Sequence, residues 1–203
     1  ILVEKHIPIG GGLGGGSSDA ATVLLALNSL WQLNLSRKEL MSLGLKLGAD
    51  VPFFIFGKNA WAEGVGEQLT EINLRESYYV VLNPNIHVST AQIFANKQLT
   101  KNTNPMTMSD FSGTANLTAC NLSDEFINDL EKIVCSEYHA VLGCLNWLNQ
   151  FGDARMSGSG ASVFLEVVDE KTAVEICNQK PKTIQGYVAK GLNHHPLISL
   201  RVD

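Results

Sequence analysis

Charge is scarce in this 203-residue sequence, with Asp, Glu, Lys and Arg together making up 17%. A disordered tail would be charge-rich and apolar-poor, and the 45% hydrophobic content supplies a core instead. A basic excess is also missing. The formal net charge is −5, which argues against a nucleic-acid partner, since such binders carry a basic field. No apolar run approaches the roughly 20 residues of a membrane span. The longest candidate, Ala20 to Leu33, is broken by Thr22, Asn28, Ser29 and Gln32, so no membrane partner is expected. Cys120, Cys135, Cys144 and Cys177 form no Cys-x-x-Cys pair, which leaves a zinc knuckle without support. Four free thiols suit a reducing, cytoplasmic setting. The sequence also lacks a starting Met and a polar lead-in. It opens at Ile1 inside an apolar run, and the expectation is the C-terminal part of a longer chain.

Glycine is abundant and concentrated. Six of the 18 glycines fall in Gly10-Gly11-Gly12-Leu13-Gly14-Gly15-Gly16. Ile1 to Ile9 before them reads as a strand, with Ile1, Val3, Ile7 and Ile9 broadly alternating. Ser17-Ser18-Asp19 after them are helix-start residues, and Ser17 and Ser18 are expected to cap a helix running to about Leu33. Apolar residues run nearly all round that helix, which predicts burial on most sides. A glycine run between strand and helix lets backbone amides turn toward one point, and the helix N-terminus adds unpaired N–H groups. Together they suit a polyphosphate. Gly10-x-Gly12-x-x-Gly15 formally satisfies the dinucleotide pattern, but a helix follows where the ribose-binding strand should lie. A Walker loop needs a lysine, and none occurs from Gly10 to Ser18.

Further along, Ser36-Arg37-Lys38-Glu39 is a capping box that Leu35 and Leu40 would staple, opening a helix expected to end at Gly48. Asp50 precedes Val-Pro-Phe-Phe-Ile-Phe. Residues 60–69 read as a strand and turn, 78–82 as a strand, 137–151 as a helix, 162–168 and 184–190 as strands, and 171–178 as a helix. Lys97 to Ser123 is Asn-, Thr- and Ser-rich and reads as a long surface loop. His194-His195 lack acidic or cysteine company and read as surface residues.

Pro8-Ile9-Gly10-Gly11-Gly12-Leu13-Gly14-Gly15-Gly16-Ser17-Ser18-Asp19-Ala20-Ala21 resembles the phosphate loop of the GHMP kinases. Leu47-Gly48-Ala49-Asp50-Val51-Pro52-Phe53 is similar to a catalytic-acid segment of that family. Arg155-Met156-Ser157-Gly158-Ser159-Gly160-Ala161 resembles its third motif, a second glycine loop beside the first. Ala62-Glu63-Gly64-Val65-Gly66-Glu67 and Val188-Ala189-Lys190-Gly191 add to the likeness. The resemblance implies an α+β fold of two domains. A truncated nucleotide domain like the second domain of ribosomal protein S5 would occupy 1–77, and a ferredoxin-like domain 78–203. It implies transfer of the ATP γ-phosphoryl group, with Mg²⁺, to a tertiary hydroxyl of a small cytidine-bearing molecule, by a monomer or weak homodimer. The family's Pro-Ala-Lys-x-Asn strand is absent from this sequence. An N-terminal portion is therefore implied before Ile1, without which the chain would be inactive. Two alternatives stand beside this reading: a GHMP kinase with another acceptor, such as homoserine, and a non-catalytic nucleotide-binding fragment.

The residues follow from the motifs. Asp50 would accept the proton of the acceptor hydroxyl, although a turn aspartate before Val-Pro is ordinary on local pattern alone. ATP would lie along Pro8, Ile9, the run Gly10 to Gly16, Ser17 and Ser18, with Lys5 near its base and the Ser18 hydroxyl on the metal. Thr90 and Phe94 would hold the cytosine end of the acceptor, with core packing an equal alternative for Phe94. Ser157, Gly158, Ser159 and Gly160 would shape the phosphate site.

Overall fold

The computed structural model describes residues 1–99 and 128–199. Most of the expected 97–123 loop, and Cys120 with it, lies outside the described residues. The chain forms two compact units, Gly14–Leu74 with Leu192–Asp203, and Ile1–Leu13 with Arg75–Gly191.

The first unit is mainly helical. Helix α1 (Gly15–Leu30) begins at an N-cap glycine, Gly14, held at φ 66°, a conformation that an L side chain rarely adopts. This corrects the expected cap. The helix starts before Ser17 and Ser18, which therefore lie within its first turn, and no side chain caps it. Only one face of α1 is covered. Ala21, Leu25 and Asn28 are buried, whereas Leu30 and Trp31 are 74% and 62% exposed. Its helical neighbours in the unit are α2 (Arg37–Leu45) and α3 (Val51–Phe56), and two helices cannot enclose a third.

The capping box at the start of α2 is complete. Ser36 Oγ accepts from Glu39 N, while Glu39 Oε2 accepts from Ser36 N at 2.8 Å. Leu40 is buried beneath it and Leu35 packs on the same cluster. The buried Asn28 amide ties the helices together. Its Nδ2 donates to Leu35 O at 3.1 Å, and its Oδ1 accepts from Leu35 N at 3.0 Å. Helix α2 stops at Leu45, short of Gly48, and a turn bonded back to Gly44 follows. A Cβ at Gly44 would come within 2.8 Å of Ile55 Cδ1 and Val51 Cγ1, so glycine there lets α2 and α3 approach closely. After α3, β1 (Ala60–Glu63) and β2 (Gln68–Glu71) pair antiparallel.

The second unit is a four-stranded antiparallel sheet in the order β4-β5-β3-β6. Its strands are β3 (Tyr78–Asn83), β4 (Ala154–Met156), β5 (Val163–Val167) and β6 (Gln185–Lys190). Taken within the unit, that order is second, third, first, fourth, which is the ferredoxin-like arrangement. The central strand β3 pairs Val80 with both Leu165 and Val188. Val80, Leu82, Val163 and Leu165 are buried against Val141, Leu148, Ala173 and Ile176. The last four belong to α6 (His139–Leu148) and α7 (Glu170–Gln179). Among the described residues the unit also holds a short helix, α4 (Thr90–Ala95), and α5 (Asp129–Glu137).

The helix expected over 137–151 is α6, with closer bounds, and Tyr138 at φ −122° and ψ 82° separates it from α5. One expectation is corrected here. Ile1 to Ile9 is not a strand, and Ile1 and Leu2 are 94% and 88% exposed. A strand exists through hydrogen bonds to a neighbour, and none of the described strands pairs with this segment.

Candidate functional site

In the helical unit the N-terminus of α1 faces open space. A Cβ on Gly16 would meet nothing within 4 Å. The first turn carries no acidic residue to compete with an incoming anion. Its amide groups and helix dipole therefore present a positive end, with Gly14 held in place by the Phe54 ring. A Cβ at Gly14 would fall 2.7 Å from Phe54 Cζ.

Asp50 belongs to the same unit. It is the N-cap residue of α3, its side chain makes no capping bond, and it is exposed. The turn before it reaches α1, since a Cβ on Gly48 would lie 4.0 Å from Ser17 Oγ. The β1–β2 turn closes on the same place, with the Gly66 Cβ position 3.6 Å from Ala49 O. Glu67 shapes that turn by accepting from Val65 N at 2.8 Å, and backbone N–H groups hold its carboxyl below the usual carboxylate range. The side chains of Asp50, Ser17 and Ser18 make no hydrogen bond among the described residues, which leaves one carboxylate and two hydroxyls available. No group of three or more His, Cys, Asp or Glu side chains among the described residues could hold a metal ion. Mg²⁺ fits here only as an ion carried largely by phosphate oxygens, with a protein hydroxyl added.

In the sheet unit the first part of the glycine run packs on the third motif. Ser157 Oγ donates to Gly12 O at 2.7 Å, and Ser162 N donates to Gly11 O at 3.0 Å. A Cβ on Gly12 would overlap the carbonyl oxygens of Ser157 and Gly160, so glycine is required there. Asn128 secures the motif from behind. Its Nδ2 donates to Met156 O and Gly158 O, while its Oδ1 accepts from Leu130 N and caps α5. Thr90 Oγ1 and Ser159 Oγ share a hydrogen bond of 2.8 Å. Phe94, one turn after Thr90 on α4, is 58% exposed, whereas Ile93 fills the core. Lys5, Ile9 and Gly10 are exposed and Pro8 is half-buried.

His194 and His195 border a cavity of about 200 Å³ walled by Phe53, Phe54, Leu192 and Pro196. His194 is exposed and lies 3.9 Å from Glu71. His87 went unnoticed in the sequence. Its ring lies against Gly10, a contact across 77 positions that no local pattern signals.

In the helical unit an open helix N-terminus follows the glycine run, a feature that suits a phosphate-binding protein, and in the sheet unit a second glycine loop lies on a ferredoxin-like sheet. The sequence matches the GHMP kinases N terminal domain over residues 1–58 and the GHMP kinases C terminal domain over 114–183. The chain belongs to the GHMP kinase family. Its relatives carry a narrower name. A 4-diphosphocytidyl-2-C-methyl-D-erythritol kinase of Janthinobacterium sp. (strain Marseille) is 50% identical over 202 residues, which are 99% of this chain and 67% of that protein. The enzyme of the same name from Burkholderia ambifaria (strain MC40-6) is 51% identical over 98% of this chain and 68% of its own length. The chain thus spans about two thirds of these curated relatives. Among solved structures, a 4-(cytidine 5'-diphospho)-2C-methyl-D-erythritol kinase superposes with a TM-score of 0.72 at 28% identity, covering 92% of this chain and 68% of that one. A homoserine kinase from Cytophaga hutchinsonii superposes with a TM-score of 0.62 at 17% identity, covering 94% and 69%, and shares the fold.

Proposed function

We propose that this protein is an ATP-dependent kinase that phosphorylates the 2-hydroxyl of 4-diphosphocytidyl-2-C-methyl-D-erythritol, in the non-mevalonate route to isoprenoid precursors. The observation that carries this reading is identity of about 50% to kinases of that name across nearly the whole chain. Homoserine as acceptor has only a shared fold in its favour. The family matches support a nucleotide domain over 1–77 and a C-terminal domain over 78–203. No helix among the described residues is long and apolar enough to cross a membrane, and we place the enzyme in the cytoplasm.

The first turn of α1, from Gly14 to Ser18, receives the phosphates of ATP, with Pro8 to Leu13 leading into it and Lys5 nearer the base. The Ser18 hydroxyl would help to hold Mg²⁺, which would supply positive charge against the transferred group. Asp50 orients the acceptor hydroxyl and takes its proton as the new P–O bond forms and ADP leaves. Phosphoryl transfer asks little covalent chemistry of the protein, so positioning dominates. A tertiary hydroxyl is a crowded nucleophile, which gives an oriented carboxylate its use. Thr90 and Phe94 hold the cytidine end, and Ser157 to Gly160 support the first glycine loop. The test is ADP release by the protein at its natural length, with ATP and each candidate acceptor. Turnover of 4-diphosphocytidyl-2-C-methyl-D-erythritol but not homoserine is expected, and the reverse preference overturns the proposal.

A further inference from the structure

Three segments converge on the Gly10–Gly12 end of the sheet unit: the glycine run itself, Asn83 to Thr90, and Ser157 to Ser162. Their polar side chains are largely spent on one another. Asn83 Nδ2 donates to Ser162 Oγ at 2.9 Å and Asn83 Oδ1 accepts from Asn85 N at 2.7 Å. Ser157 is taken by Gly12 O, and Thr90 by Ser159. His87 is an exception. It is exposed, and among the described residues no hydrogen bond or ion pair engages its imidazole.

The ring nevertheless lies close against backbone. A Cβ on Gly10 would fall 2.5 Å from His87 Nδ1, 2.9 Å from Cε1 and 3.7 Å from Cγ. The Nδ1–Cε1 edge therefore rests on Gly10, and Nε2 lies on the side turned away from it. Gly10 itself is at φ 70°, a conformation that an L side chain rarely adopts. An imidazole seated on the first glycine of a phosphate loop, with its far nitrogen open, is placed to meet an oxyanion.

We infer that His87 is a further substrate-contacting residue of this kinase, its Nε2 bonding a phosphate oxygen of one of the two substrates. The inference rests on the kinase reading above. Two sources supply that chemistry, the diphosphate of the cytidine-bearing acceptor and the phosphates of ATP.

The test compares wild type, His87→Ala and His87→Gln at natural length, since the Gln side-chain amide can stand in for Nε2. Steady-state kinetics are measured with each substrate varied in turn, beside thermal denaturation and calorimetric binding of ADP and of CDP. His87→Ala should raise KM for one substrate about ten-fold, the usual size for a lost bond to a charged group. His87→Gln should recover most of that, and Tm should hold. A rise for the acceptor and weaker CDP binding assigns the acceptor diphosphate, while a rise for ATP and weaker ADP binding assigns the nucleotide. Unchanged KM and binding in His87→Ala overturns the inference, as does a fall in Tm with both constants unchanged. A wild type that does not turn over this acceptor overturns the kinase reading, and His87 is then decided by ADP and CDP binding alone.

Discussion

Asp50 and Phe94 show how exposure separates chemistry from packing at single residues. Asp50 sits at a helix start yet caps nothing, so its carboxylate is not needed to hold α3. Asp50→Asn should keep the affinity for both substrates and lower kcat by about 10²-fold or more, the usual size for a lost proton acceptor. Equilibrium binding beside kcat checks this, and near-normal turnover would make Asp50 structural. Phe94 was open to a core or a ligand role on sequence alone. At 58% exposure it is not core. Stacking on a base is worth roughly 1–3 kcal/mol, so Phe94→Ala should raise KM for the acceptor about five-fold or more, leave KM for ATP unchanged and cost little Tm. A large fall in Tm with KM intact would contradict the assignment.

Among the elements, α1 and α2 make opposite use of their N-termini. Helix α2 satisfies its own first turn through the capping box. Ser36→Ala should cost about 1 kcal/mol, read as a lower Tm. The hydrogen bonds from Ser36 lower the pKa of Glu39. The contribution of this carboxylate is therefore complete above the ordinary glutamate value near 4.5, and it is lost as the pH falls through the lower folded value. Glu39→Gln should flatten that acid limb of the Tm–pH curve, and an unchanged limb would remove Glu39 from it. Helix α1 leaves its first turn open. Gly16→Ala adds a methyl where no protein atom lies within 4 Å, and alanine favours the helix. Tm should hold or rise while calorimetry shows weaker ATP binding, and unchanged binding would move the phosphates elsewhere. The capping box was legible because it is local, spelled by Ser36 and Glu39. Helix α5 was legible too but went unread. Asn128 before Asp129-Leu130-Glu131, with Ile133 and Val134 at helical spacing, is an N-cap followed by an apolar face. The start of α1 misled because Ser17 and Ser18 look like caps, whereas the turn into the helix is set by the positive φ of Gly14.

For the whole molecule, the sheet could be read strand by strand from β3, β5 and β6, but its order could not, because pairing joins residues such as Val80 and Leu165 that are far apart in sequence. The same limit hid the second glycine loop's partners. The motif Ser157 to Gly160 is visible as composition, while its bonds to Gly12, Thr90 and Asn128 appear only after folding. The Ile1–Ile9 segment marks the converse case: alternation is present, and no described strand pairs with it.

The bonds of Asn128 also make one side chain the joint between a helix start and the second glycine loop. Its amide nitrogen is shared by the carbonyls of Met156 and Gly158, and its oxygen caps α5. Asn128→Asp keeps an acceptor for the cap and sets a carboxylate oxygen against two carbonyl oxygens. Helix α5 should persist while the loop loses one of its ties, so amide hydrogens at Gly158 and Ser159 should exchange faster than in wild type. Unchanged exchange would show that the bonds to Gly12 and Thr90 hold the loop without Asn128.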